Sequence, residues 1–416
     1  MSAVGERRVV VTGIGVVAPN GLGREAFWRA SLRGVSGIKP VQRFSTADLP
    51  ISVAGEVADF QAEAYLERKF VQRTDRVTHF ACVAVEEALR DARLDLTCED
   101  PRSVGAVIAN TLGGLDFVIK QIEALYTQGP RAMSAYTAIA WLQVANVGQV
   151  SLRHGLRGYS KTPVSDTVGG LEAMVLAANA IRRGVVDIML TGGSEALLHP
   201  FFLLIFGHSG LSAPGNDPHA YRPFDRRASG LLLAEGAGIC VLEEYEHARR
   251  RGASIYGEIL GAGSTGDARP PLPPSPDGTH YARAMRLALQ RAGLRPGEID
   301  YISLDGRALP AADFAEASAL RAVFDACLDD LPVSVPRTMS GHSYAAAGAL
   351  DTISTLLALR DQRVPPTLNC EQPDPRHRLN LVRDQARPFT GSTALVCGRG
   401  ISGSNVALVV RKVDES

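Results

Sequence analysis

Val164-Ser165-Asp166-Thr167-Val168-Gly169-Gly170-Leu171-Glu172 is the stretch on which the reading of the fold turns. An extended segment gives way here to a helix over 171–183, whose apolar positions Leu171, Met174, Ala178 and Ile181 recur at helical spacing before Gly184 closes it. Thr167 sits at the turn. A side chain there faces unpaired backbone N–H groups and the positive end of the helix dipole, surroundings that would lower a thiol's pKa and make it a thiolate. A threonine hydroxyl gains little from them.

Outward from this turn, strands and helices alternate as in an α/β protein whose sheets are buried on both faces. The pattern predicts strands over 8–15, 104–110 and 186–190 and a helix over 73–92, before a second half that begins near 255–261. That half holds a helix over 281–292, a strand over 301–304, a helix over 345–359 and a final strand near 406–411. Each half carries a strand, a Gly-rich turn and a small-residue helix, so the chain divides into an N-terminal half, 1–254, and a C-terminal half, 255–416. Within 264–278, Pro270, Pro271, Pro273, Pro274 and Pro276 are too dense for an element interior, and the stretch is expected as a linker loop.

Composition sets limits. With 416 residues and 45% hydrophobic content the chain can bury a large core, and length alone argues for about two or three domains. The 44 basic and 44 acidic residues cancel, so charge points neither to nucleic acid nor to an acidic membrane surface. No apolar signal core precedes the first strand, and no run reaches the roughly 18 apolar residues of a membrane span. Cys82, Cys98, Cys240, Cys327, Cys370 and Cys397 form no Cys-x-x-Cys pair, which argues for reduced thiols in the cytoplasm and against zinc. Gly13-Ile14-Gly15 follows a strand but lacks the third glycine of a dinucleotide turn, and no cofactor is expected.

The Thr167 stretch and three others resemble the β-ketoacyl synthases of fatty acid and polyketide assembly. The resemblance implies that Thr167 stands where those enzymes carry the acyl-accepting cysteine. Tyr301-Ile302-Ser303-Leu304-Asp305-Gly306-Arg307, followed by Asp313 and Glu316, is similar to the stretch whose Asp305 position holds the first catalytic histidine. Pro336-Arg337-Thr338-Met339-Ser340-Gly341-His342, leading into Ala345-Ala346-Ala347-Gly348, resembles the segment with a lysine at the Arg337 position and the second histidine at His342. Only His342 is retained. Decarboxylative condensation needs a thiolate to hold the acyl chain and two neutral imidazoles to stabilise the developing enolate. The resemblance therefore implies a site with no intact catalytic set, in which an ionised Asp305 would repel that enolate.

One subfamily is matched most sharply: the chain length factor, the β subunit of the heterodimeric ketosynthase in type II polyketide synthases. Ser134-Ala135-Tyr136, Ala140-Trp141, Asn146, Gly148-Gln149, Ser151 and Arg153-His154-Gly155-Leu156-Arg157-Gly158 carry that resemblance. Gly169-Gly170-Leu171-Glu172 and Ala394-Leu395-Val396-Cys397-Gly398-Arg399-Gly400 add to it. Many members have a glutamine at the Thr167 position, so a role tied to that glutamine does not carry over. The resemblance implies a thiolase-like α/β fold of two duplicated halves in a five-layered αβαβα arrangement. It implies a cytoplasmic, non-condensing subunit that pairs with a catalytic ketosynthase α subunit, shapes the acyl-chain tunnel and meets the acyl carrier protein transiently. Leu112, Leu115 and Ile119, at and after the turn Asn110-Thr111-Leu112-Gly113-Gly114-Leu115, are expected to line tunnel and interface together with Tyr136 and Trp141. A strand near 159–165 is expected at the subunit contact. Two alternatives stand beside this: a Thr167-dependent acyltransferase or hydrolase with His342 as base and Asp305 as its orienting carboxylate, and a homodimeric scaffold.

Overall fold

The computed structural model describes residues 7–268 and 277–413; Pro270, Pro271, Pro273, Pro274 and Pro276 lie outside the described residues. In the first half, strands β1 (Val9–Ala18), β2 (Val104–Ala109), β3 (Ser160–Lys161), β4 (Ile188–Glu195) and β5 (Gly236–Glu244) alternate with helices. These helices are α1 (Arg76–Ala92), α2 (Leu115–Gln128), α3 (Ala145–His154), α4 (Gly169–Arg182) and α5 (Pro200–Ser209). The second half has β6 (Gly257–Gly266), β7 (Tyr301–Ser303), β8 (Val333–Ser334), β9 (Thr393–Arg399) and β10 (Ser404–Arg411), with α6 (Thr279–Ala292), α7 (Pro310–Phe324) and α8 (Ala347–Asp361). Ser264 to Gly266, expected in the linker loop, instead complete β6.

These strands join in one 11-stranded mixed sheet in the order β8-β7-β9-β10-β6-β1-β5-β4-β2-β3, with a short strand, Gly21–Leu22, beside β1. The order contains the duplication. From each outer edge inward the pairings are parallel, parallel, antiparallel, antiparallel: β3-β2-β4-β5-β1 in one half and β8-β7-β9-β10-β6 in the other. The halves meet where β1 runs antiparallel to β6 over only two pairs, Val10 with Glu258 and Val11 with Gly257.

Layering follows from which faces are apolar. Helix α1 starts at Asp75, whose carboxylate caps the Val77 N–H at 3.0 Å, and presents Val77, Phe80, Ala84, Val85 and Ala88 to the outer face of the first half-sheet. Helix α6 does the same for the second half with Tyr281, Met285, Ala288 and Leu289. Between the half-sheets lie α4 and α8, packed on each other and on strands of both halves. All residues of α8 from Ala347 to Leu359 are buried, as a helix covered on every side requires. The result is the thiolase-like stack of helix, sheet, helix, sheet, helix.

Candidate active-site remnant and interface

The two inner helices bring their N-termini together. Each is entered through a 3₁₀ turn, Asp166–Val168 before α4 and Tyr344–Ala346 before α8, and the two turns touch. Both turns open on a non-glycine residue at positive φ, Asp166 at 39° and Tyr344 at 49°, a conformation that costs of order 1–3 kcal/mol and persists only where the surroundings enforce it.

Thr167, Asp305, Arg337 and His342 all converge here and are all buried. Thr167 Oγ1 donates to the Arg399 carbonyl at 2.6 Å and accepts from Arg307 Nη2 at 3.0 Å. Arg307 Nε donates to Asp305 Oδ2 at 2.8 Å, and Arg337 Nη1 donates to Asp305 Oδ1 at 2.9 Å. Arg337 Nε also donates to Asp351 at 3.0 Å, and Nη1 lies 3.0 Å from His342 Nε2. A guanidinium only donates, so His342 Nε2 accepts there, while Nδ1 faces the Tyr344 N–H at 3.3 Å. Two carboxylates and two guanidiniums thus close a buried cluster without net charge.

Burial alone would push the Asp305 carboxyl up, but the Arg307 and Arg337 guanidiniums outweigh it and hold the group well below the usual carboxylate range. Burial, seconded by Arg337, pushes His342 well below its ordinary value, so the imidazole is neutral. Asp305 is therefore held as the carboxylate, and two guanidiniums neutralise its charge. The geometry does not form a Thr-His-Asp triad: His342 meets Arg337, and the Thr167 hydroxyl is bonded to Arg399, Arg307 and Asp166.

Sequence reasoning quoted Arg307, Asp166 and Arg399 without assigning them a role and passed over Asp351. A lone aspartate inside the apolar run of α8 was the available signal, since an unpaired charge there would be prohibitively costly. Glu316, on α7, accepts the Asp305 and Gly306 N–H groups at 2.9 Å each, and burial pushes its carboxyl up to about 7.

The expected tunnel turn is held from beneath. Glu195, at the end of β4 and fully buried, accepts the Thr111 N–H at 3.0 Å and the Leu112 N–H at 3.2 Å. Asn110 Oδ1 accepts the Gly113 N–H at 2.6 Å. Gly113 has φ 70°, and a Cβ on it would lie 2.1 Å from the Trp141 carbonyl, so only glycine fits. Leu112 is half-buried against a cluster that includes Leu203, Phe206 and Tyr344. Leu115 is buried and Ile119 half-buried. Tyr136 and Trp141 remain 39% and 45% exposed, and the Arg73 guanidinium lies 4.8 Å from the Tyr136 ring centre.

A set of large apolar side chains on the elements around this turn is exposed. It includes Ile122 and Tyr126 of α2, Ile139 and Val144 beside Trp141, and Phe201, Leu204 and Ile205 of α5. Strand β3 is exposed and, among the described residues, pairs only with β2, leaving its outer edge open. Among the described residues no group of three potential ligands could hold a metal ion, and no helix is long and apolar enough to cross a membrane.

Residues 6–248 match the N-terminal domain of β-ketoacyl synthase, and 256–371 match its C-terminal domain. The chain belongs to the β-ketoacyl synthase family. Within that family it is 44% identical over 408 residues to the tetracenomycin polyketide synthase ketoacyl synthase beta subunit of Streptomyces glaucescens, covering 97% of this chain and 98% of that one. The ishigamide ketosynthase/chain length factor superposes with a TM-score of 0.91 at 31% identity, over 99% of this chain and 100% of that chain. A type II polyketide synthase acyl-carrier protein in complex with its ketosynthase bound to the hexaketide gives 0.89 at 32% identity, over 99% and 100%.

Proposed function

We propose that this chain is the non-condensing chain length factor of a type II polyketide synthase. It pairs with a ketosynthase α subunit that carries the complete catalytic set, completes that partner's fold and supplies one wall of the tunnel in which the acyl chain grows. The acyl carrier protein docks transiently, mostly on the partner. The chain works in the cytoplasm without cofactor, as two halves, 1–254 and 255–416.

The observation that carries this reading is the Thr167 hydroxyl, tied to the Arg399 carbonyl and to Arg307 where a thiolate would have to be free, in a chain 44% identical to a ketosynthase β subunit. The exposed apolar side chains Ile139, Trp141 and Val144 and those of α5, together with the open edge of β3, support an obligate partner, because such interfaces are extensive and apolar. The solved ketosynthase/chain length factor favours a heterodimer over a homodimeric scaffold. A Thr167-dependent acyltransferase is disfavoured because no imidazole reaches the hydroxyl.

Leu112 sets the length at which the tunnel ends. Forcing one or two methylenes into a filled site costs about 1–3 kcal/mol, enough to favour release over another elongation cycle. In the complex with its ketosynthase, Leu112→Ala lengthens the carrier-bound chains and Leu112→Trp shortens them, read by mass spectrometry. Wild-type length distributions from both variants in intact complexes would refute the assignment.

A further inference from the structure

Two backbone amides at the remnant site point at one atom. Asp166 Oδ1 accepts from the Thr167 N–H and, at 3.0 Å, from the Ile401 N–H, and it lies 2.9 Å from Thr167 Oγ1. Asp166 Oδ2 accepts from the Ser402 N–H at 3.0 Å and from the Ser402 hydroxyl. Two amide donors that converge on one side-chain oxygen at the head of a helix form an oxyanion hole, one donor being the amide of the nucleophile position itself. The anion in it is the chain's own carboxylate. The positive φ of Asp166 starts that turn, and Gly400 leaves room for the carboxylate, since a Cβ there would stand 2.9 Å from Oδ1 and 3.0 Å from Oδ2. On the other side of Thr167, Arg307 Nη2 is bonded to Oγ1 and to the Arg399 carbonyl, and its Nε is fixed on Asp305.

We propose that Asp166 is a built-in occupant of the oxyanion hole and that, with Arg307, it seals this chain's own site against acyl thioesters. This deepens the proposed function, on which it rests: the subunit is silenced by its residue at 167 and again by an internal ligand that outlasts restoration of a thiol. An incoming carbonyl oxygen must expel a carboxylate that has four donors, and the acyl chain must displace a guanidinium whose counter-charge is buried.

The test uses the full chain co-purified with its ketosynthase, whose own acyl-accepting cysteine is replaced by alanine. The probe is S-hexanoyl-N-acetylcysteamine, and acylation is read by mass mapping of the peptide spanning position 167. In the reaction the introduced thiolate adds to the thioester carbonyl carbon, the tetrahedral oxyanion collapses, and the departing N-acetylcysteamine thiolate takes a proton from water. Thr167→Cys alone is expected to stay unacylated. Thr167→Cys with Asp166→Gly and Arg307→Ala is expected to acylate; glycine suits the positive φ at 166. Restoring the two amide donors should speed acylation by about 100-fold relative to Thr167→Cys/Arg307→Ala, after normalisation to alkylation by iodoacetamide, which forms no oxyanion. Equal acylation of the single and triple variants would overturn the proposal, as would a triple variant that is alkylated but not acylated. If Arg307→Ala unsettles the fold by orphaning Asp305, Asp305→Asn is added and the same ratio is read. Failure of the proposed function appears elsewhere, as loss of the heterodimer or unchanged products from the Leu112 variants.

Discussion

Replacing Arg337 by methionine tests whether the buried charge cluster around Asp305 is a structural clasp. The guanidinium is 3% exposed and donates to Asp305, Asp351 and His342. Methionine keeps the side-chain length and removes the charge. Asp305 retains Arg307, but Asp351, 1% exposed, loses the guanidinium that offsets its burial. Breaking a buried pair from one side costs about 3–5 kcal/mol. An unfolding entropy of about 2.1 cal/mol/K per residue over 416 residues gives about 0.9 kcal/mol/K, so Tm should fall by about 3–6 °C. The loss depends on pH. Burial already raises the Asp351 carboxyl although Arg337 pulls it down, and without Arg337 it rises further. A folded-state pKa above the unfolded one gives stability that is complete below the unfolded value and lost as pH rises through the folded value, so the deficit grows from acid towards alkaline pH. Differential scanning fluorimetry of the co-purified complex across that range measures it. Adding Asp351→Leu should recover most of the loss by removing the orphaned charge. A Tm unchanged at the alkaline end, or a deficit that Asp351→Leu enlarges, would refute the clasp.

Two further substitutions probe the interface and the turn. Trp141→Ala, which removes the largest of the exposed apolar side chains, is expected to weaken association with the ketosynthase by about 2–4 kcal/mol, read by sedimentation of the complex; unchanged affinity would place the contact elsewhere. Gly113→Ala forces a Cβ against the Trp141 carbonyl at positive φ, so it should lower stability by about 1–3 kcal/mol and alter product length, whereas a neutral outcome would mean that the turn does not position Leu112.

Much of the fold was legible because its elements obey simple periods. Helix α1 has an apolar stripe and an aspartate cap, and β2 is one short apolar run between polar ends. Strand β5 escaped because all nine of its residues are buried, which erases alternation, and because it opens on Gly236-Ala237-Gly238, a poor strand signal. Helix α8 was visible through its small residues rather than through amphipathicity, which a helix buried on all sides lacks. In the site, Thr167, Asp305, Arg337 and His342 were found because they stand at positions of a known chemistry. Arg307 and Asp166 appear in the same quoted strings, but their meaning lies in partners distant along the chain, Arg399 and Ile401 for instance, which no local pattern announces.

The neutral cluster has a consequence for the history of such a chain. Thr167 and Asp166 come from one half of the sheet, while Asp305, Arg307, Arg337, Asp351 and Arg399 come from the other, so the cluster fastens together two halves whose strands share only a two-pair seam. An active centre tolerates local instability for the sake of chemistry; once chemistry is gone, its polar groups can be refitted for cohesion. The refit then acts as a ratchet. Neutralising one charged member leaves its partner as an uncompensated charge in the interior, at about 3–5 kcal/mol per broken pair, against a total stability of about 5–15 kcal/mol for a typical domain. The members of the cluster are therefore kept or exchanged as a set, and a single neutralising substitution is paid for in stability by both halves of the chain.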